Sequence, residues 1–106
     1  MGQYVLLEHY NANGGKLGIS SEVFSEIAAQ CIRETKNVIR DKNNYVQVAI
    51  RNNTVYLKIL VTVKMGINTE NIKEEIEEKI NNSLLLICET VPVDINIRVV
   101  SKELEA

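Results

Sequence analysis

Two alternating runs on either side of Asn52 and Asn53 constrain the fold more than any other feature of the sequence. Apolar residues fill every second position of residues 45–51 and of residues 54–64. They are Val46, Val48, Ile50, Val55, Leu57, Ile59, Val61 and Val63. A period of two over so many positions predicts strands that bury one face. Because asparagine tolerates the positive φ of a two-residue turn, the sequence predicts a β-hairpin.

The register of this hairpin follows from the same pattern. If Arg51 faces Thr54, each inward residue of the first run meets an inward residue of the second. The predicted apolar pairs are Ile50 with Val55, Val48 with Leu57, and Val46 with Ile59. A slip by one residue would set the apolar face of one strand against the polar face of the other. The hydrophobic pattern and the turn therefore predict one register.

Residues 91–100 repeat the alternation near the C-terminus. The inward positions are Val91, Val93, Ile95, Ile97 and Val99, and the outward positions are Asp94, Asn96 and Arg98. Pro92 has no N–H to donate, so it suits the start or the edge of a strand. The pattern predicts a third long strand with one buried face.

Two segments show helical spacing instead. The first follows Ser20 or Ser21, either of which can cap a helix. Its apolar stripe is Val23, Phe24, Ile27, Ala28, Cys31 and Ile32. The second begins at the N-cap Asn68, and its stripe is Ile72, Ile76, Ile80 and Leu84. Glu75 and Lys79 are spaced for an ion pair one turn apart. Both segments are predicted to be amphipathic helices.

The elements together predict a fold class. Residues 16–20 are expected to form a short strand with Leu17 and Ile19 inward, and residues 3–10 are a candidate for one extra strand. The order β-α-β-β-α-β, with one apolar face per element, predicts an α+β two-layer sandwich with both helices on one face of a mostly antiparallel sheet. Right-handed crossovers favour a split βαβ arrangement, ferredoxin-like or related to it. The length of 106 residues predicts a single domain, 1–106, in which residues 1–15 are an N-terminal strand or loop.

Composition excludes some classes of function. With 12 basic and 14 acidic residues, the chain has no excess of positive charge with which to bind nucleic acid. Its apolar runs fall short of the roughly 20 residues that a membrane helix needs, so we expect no direct membrane insertion. Cys31 and Cys88 are too few for a disulfide framework, which favours a reduced, cytoplasmic protein.

The sequence contains no recognisable catalytic motif. His9 is the single histidine, and the neighbouring Glu8 would lie on the opposite face of a strand. The stretch NANGGKLG has leucine where a phosphate-binding loop needs serine or threonine after the lysine. The glutamates that follow Asn68 lie opposite the isoleucine stripe, as a solvated face does. We expect no catalytic residues, no metal site and no cofactor.

The outward face of the hairpin is the candidate site for a protein interaction. The predicted register sets Tyr45 opposite Leu60 and Ala49 opposite Tyr56. The candidate residues are Tyr45, Gln47, Ala49, Tyr56, Lys58 and Leu60. Exposed tyrosine and leucine side chains together favour a contact surface, here for self-association. The alternatives are that an N-terminal strand or tail covers this face, or that it is an ordinary mixed surface.

Three stretches of the chain resemble a known family. They are GKLGISSEVFSEIAAQCIRET, VYLKILVTVKMGINTENIKEEIEEKI and ETVPVDINIRVV. Together they resemble the alkaline shock protein family, the envelope stress response proteins of Gram-positive bacteria, over residues 16–100. The chain differs from the family at Met65-Gly66, where the family has Tyr-Gly. It also lacks the glycine-bearing insert that some relatives carry between the first helix and the hairpin.

The resemblance implies a cytoplasmic protein without enzymatic activity that serves stress response and cell-envelope homeostasis. Family members self-associate, and a separate membrane-anchored protein holds them beneath the membrane. The resemblance thus implies a homo-oligomer with a membrane-anchored protein partner. Some relatives are encoded beside genes of fatty-acid synthesis. That implies an alternative function, a regulatory binding module that acts on a biosynthetic enzyme such as acetyl-CoA carboxylase.

Overall fold

The computed structural model describes residues 4–7, 17–88 and 91–103. The strands are β1 Tyr4–Leu7, β2 Leu17–Ser20, β3 Val38–Ile39, β4 Tyr45–Arg51, β5 Thr54–Lys64 and β6 Val93–Lys102. The helices are α1 Ser21–Arg33, α2 Thr69–Ser83 and the short α3 Leu85–Cys88. The predicted α+β class, with an extra N-terminal strand, is confirmed.

The central hairpin has the predicted register. β4 and β5 pair antiparallel from Tyr45 opposite Leu60 to Arg51 opposite Thr54. Asn52 and Asn53 adopt positive φ angles of 50° and 57°, the left-handed conformation that a tight hairpin turn requires. The alternation and the turn residues therefore act together to set which side chains face the core.

β5 lies at the centre of the main sheet. β6 runs parallel to it, from Val93 opposite Val55 to Lys102 opposite Lys64. β3 and β4 pair antiparallel with β5 and share its other edge, because β6 occupies the first edge along its length. The sequence did not predict β3, since two residues are too few to show a period.

The split βαβ prediction is wrong. In a split arrangement another strand would separate β5 from β6, whereas these two strands are direct neighbours. β2 is not part of the main sheet, because it pairs with β1 in a separate two-stranded sheet, with Val5 opposite Ile19. β2 ends at Ser20, where α1 begins, so four residues of strand form a hairpin with β1 instead.

The two longer helices cover one face of the main sheet. α1 packs over β4, α2 packs over β6, and the helices contact each other. Between the layers lie the buried side chains Phe24, Ala28, Leu57, Ile59, Val61, Ile76, Ile80 and Leu84. Val5 and Val91 join the same core. The predicted inward stripes of α2 and β5 are therefore confirmed.

The helix ends show which local predictions hold. Asn68 caps α2 as predicted, since its side chain accepts a hydrogen bond from the backbone N–H of Asn71. Ser20 is the N-cap of α1, but its side chain makes no capping hydrogen bond. The predicted ion pair joins Lys79 Nζ to Glu75 Oε2 at 3.1 Å. Lys79 also donates to the carbonyl of Glu34 at 2.9 Å, which ties α2 to the end of α1.

The turn gives a direct test of the hairpin. A β-branched residue in the left-handed region is strained, so we expect Asn52→Val to lower the free energy of unfolding by about 1–2 kcal/mol. Asn52→Gly keeps the required φ at no steric penalty and should stay close to wild type. Urea denaturation of the three proteins measures the effect. Equal stabilities for the Val and Gly variants would contradict the role given to this turn.

Candidate protein-interaction face

The face of the main sheet that carries no helix contains all six predicted interaction residues. Tyr45, Gln47 and Ala49 on β4 stand opposite Leu60, Lys58 and Tyr56 on β5. Tyr56 is 38% exposed, and Gln47 and Lys58 are also exposed. Tyr45, Ala49 and Leu60 are half-buried. We call this surface the helix-free face. On β6 it continues through the outward residues from Asp94 to Lys102.

The charged residues of the described strands all lie on the helix-free face. They are Arg51, Lys58, Lys64, Asp94, Arg98 and Lys102, and every one is exposed. Five are basic and one is acidic, so these strand residues carry a net charge of +4. Asp41, which pairs with Lys102 at the end of this face, reduces the charge of the face to +3. Among the strand residues, the guanidinium of Arg51 lies 5.4 Å from the centre of the Tyr56 ring, within the range of a cation–π contact.

One end of the helix-free face is more tightly packed. Thr62 is 2% exposed and lies in register between Ile39 of β3 and Val100 of β6. Its hydroxyl donates to Oδ1 of Asn44 at 2.7 Å, and Nδ2 of Asn44 donates to the carbonyl of Ile39 at 2.9 Å. The sequence pattern did not indicate these two residues, because Ile39 belongs to a strand of only two residues and Asn44 to the segment that follows it.

An ion pair crosses this end of the face. Lys102 Nζ lies 2.8 Å from Oδ2 of Asp41, whose side chain is 5% exposed. The hydrogen bond from Lys102 lowers the pKa of Asp41 below its ordinary value of 3.8, and a second hydrogen bond from the backbone N–H of Asn43 acts in the same direction. The pair therefore ties the segment after β3 to the end of β6.

A notch opens at the edge of the sheet between β3 and β4. Val61 of β5 lies between Leu60, which pairs with β4, and Thr62, which pairs with β3. The adjoining cavity has a volume of about 280 Å³ and is lined by Ala29, Ile32, Arg33, Asn44, Tyr45, Val46, Leu60 and Val61. Most of this lining is aliphatic, so the notch suits an apolar group.

The other candidate residues fall in different places. Cys31 is buried at 3% exposure with its Sγ 3.6 Å from Oγ of Ser83. His9 and the glycine-rich stretch of residues 11–16 lie outside the described residues, and so does the side chain of Cys88. In the part of the chain that the structure describes, no three His, Cys, Asp or Glu side chains are grouped to hold a metal ion.

Comparison with known proteins assigns no family. No family model matches the sequence, and no curated protein matches it. Among the described residues, no helix has both the length and the apolar character to cross a membrane.

The Asp41–Lys102 pair predicts a dependence of stability on pH. A carboxylate whose pKa is lowered by folding stabilises the fold above its unfolded pKa, and this stabilisation is lost as the pH falls through the folded pKa. We therefore expect wild type to exceed Asp41→Asn in free energy of unfolding at neutral pH. The difference should disappear as the pH falls below 3.8.

Urea denaturation across this pH range measures the effect. Asp94→Asn is the matched control, because it neutralises an exposed aspartate of the same face. A difference between wild type and Asp41→Asn that stays constant down to the lowest pH would contradict the ion-pair explanation.

Proposed function

We propose that this chain is a self-associating structural or adaptor protein of the alkaline-shock and envelope-stress type. In this proposal it has no enzymatic activity and works in the cytoplasm as a homo-oligomer. A membrane-anchored protein partner recruits it to the membrane, and in this proposal the chain itself does not insert. The sequence motifs that resemble the alkaline shock protein family support the envelope-stress role.

The observation that carries the proposal is the helix-free face. A two-layer sandwich buries one face of its sheet against helices and leaves the other available for contacts. Here the available face combines Tyr56 and Leu60 with half-buried Tyr45, Ala49 and Val100. Aromatic and aliphatic groups of this kind supply the core of a protein interface, while surrounding polar groups form its rim.

The described N-terminal strand does not cover this face. β1 pairs with β2, and Val5 is buried in the core that also contains Phe24. Tyr56 keeps 38% of its surface exposed. The geometry therefore supports the interpretation as a contact surface over that of a face closed by β1.

Substitutions at the centre of the face test self-association. Tyr56→Glu and Leu60→Lys each place a charge where the proposed contact is apolar, and burying an unpaired charge is strongly unfavourable. We expect both variants to shift from the oligomer toward the monomer in sedimentation velocity experiments. Met65→Lys is the control, since Met65 is 58% exposed in the turn between β5 and α2, at the opposite end of β5 from Tyr56.

Wild-type mass in both variants would show that this surface is not the interface. A shift in the Met65→Lys control as large as in the other two would show that any added charge disperses the oligomer. Circular dichroism of each variant separates loss of contact from loss of fold.

Affinity capture from the native cell tests recruitment to the membrane. We expect wild type to retain one integral membrane protein. Neither Tyr56→Glu nor an unrelated bait of equal size should enrich that protein more strongly than wild type does. Depleting that protein should then release the chain from the membrane fraction into the cytosolic fraction. Retention of a biosynthetic enzyme such as acetyl-CoA carboxylase, with no membrane protein, would contradict recruitment and favour a regulatory role.

A further inference from the structure

The geometry points to a back-to-front association, in which the helix layer of one copy docks on the helix-free face of a second copy. This inference deepens the self-association proposed above and rests on it. It names both surfaces of the contact and predicts that they are different surfaces.

The helix layer has the opposite charge to the helix-free face. α1 and α2 carry seven glutamates and three basic residues, a net charge of −4. The glutamates are Glu22, Glu26, Glu70, Glu74, Glu75, Glu77 and Glu78, and the basic residues are Arg33, Lys73 and Lys79. Glu74 and Glu78 are exposed, and helical spacing sets them opposite the buried residues Ile72, Ile76 and Ile80.

Fold geometry separates these charges to opposite sides of the molecule. The inward positions of the strands are apolar, so strand charges lie on the helix-free face, which has a net charge of +3 with Asp41 included. The inward stripes of the helices are apolar too, so helix charges point away from the sheet. A chain with a formal net charge of −2 thus has a basic side and an acidic side.

Charge complementarity selects among the ways in which two copies can meet. Two helix-free faces would set +3 against +3, and two helix layers would set −4 against −4. Like charges across an interface suppress association, whereas opposite potentials steer partners together. The back-to-front arrangement is the one that sets +3 against −4, so a second copy fits the helix-free face.

The charged residues and the apolar residues contribute to the contact in different ways. Exposed ion pairs add little affinity, so the charges act mainly on orientation and on the rate of encounter. Tyr56 and Leu60 on the helix-free face provide apolar area that becomes buried in the contact. Because the contact is heterologous, each bound copy keeps one unused surface, and association continues into a ring or an open chain.

Two charge-reversal variants test this arrangement. Lys58→Glu with Arg98→Glu removes the net positive charge of the helix-free face and leaves the helix layer intact. Glu74→Lys with Glu78→Lys neutralises the helix layer and leaves the helix-free face intact. We expect each double variant alone to associate about tenfold more weakly than wild type in sedimentation velocity.

Mixing the two double variants gives the decisive result. The intact helix layer of the first and the intact helix-free face of the second can still meet, while every other pairing is weakened. We expect a 1:1 heterodimer and no larger species, with an affinity close to that of the wild-type contact. Recovery on mixing also shows that both variants are folded.

A matched control separates surface charge from total charge. Lys36→Glu, at an exposed position between α1 and β3, changes the net charge as much as Lys58→Glu alone does. It should associate like wild type. Raising the salt from about 0.1 M to about 1 M shortens the Debye length from about 10 Å to about 3 Å, and should weaken wild-type association.

The outcomes distinguish this inference from the proposed function. If Glu74→Lys with Glu78→Lys associates like wild type while the sheet variant does not, self-association stands and the back-to-front contact is wrong. Failure of the mixture to form a heterodimer also overturns the back-to-front contact. A wild type that stays monomeric, and binds anionic lipid vesicles through its basic face instead, overturns both.

Discussion

Burial of one face of β5 is the interaction on which the rest of the structure depends. Its inward residues Val55, Leu57, Ile59, Val61 and Val63 are each 2% exposed or less. β3 and β4 pair with one edge of this strand, and β6 pairs with the other edge. Since the strand is central and its alternation is unbroken over 11 residues, it determines which side of every neighbouring strand meets the helices.

The character of the surface follows from that burial. Charged residues are excluded from the inward positions because an unpaired charge in the core is strongly unfavourable. The strands therefore display their charges on the helix-free face, and the helices display theirs on the far side of the second layer. A chain whose overall composition is slightly acidic thus has two surfaces of opposite charge. Composition alone shows no overall excess of positive charge, whereas the fold gathers basic residues on one surface.

Regular local spacing of residues decided which parts of the structure could be predicted from the sequence. The hairpin register, the α2 stripe and the cap at Asn68 each follow from local spacing, and the structure confirms them. The split topology was wrong because strand pairing over long sequence distances has no local signal. β2 has four residues, too few to show whether they join the main sheet or pair with β1. Within the candidate site, the six hairpin residues were predictable, whereas Ile39, Asn44 and Asp41 came together through β3.

The sequence by itself determined which face of each strand and helix points inward. Periods of two and of 3.6 residues specify which side chains point inward once a strand or a helix forms. Tertiary structure alone decided the parallel pairing of β5 with β6 and the contacts of Thr62 with Asn44 and of Lys102 with Asp41. The reason is physical: these contacts join residues between 18 and 61 positions apart, where chain connectivity leaves many partners open and packing of the whole domain selects one.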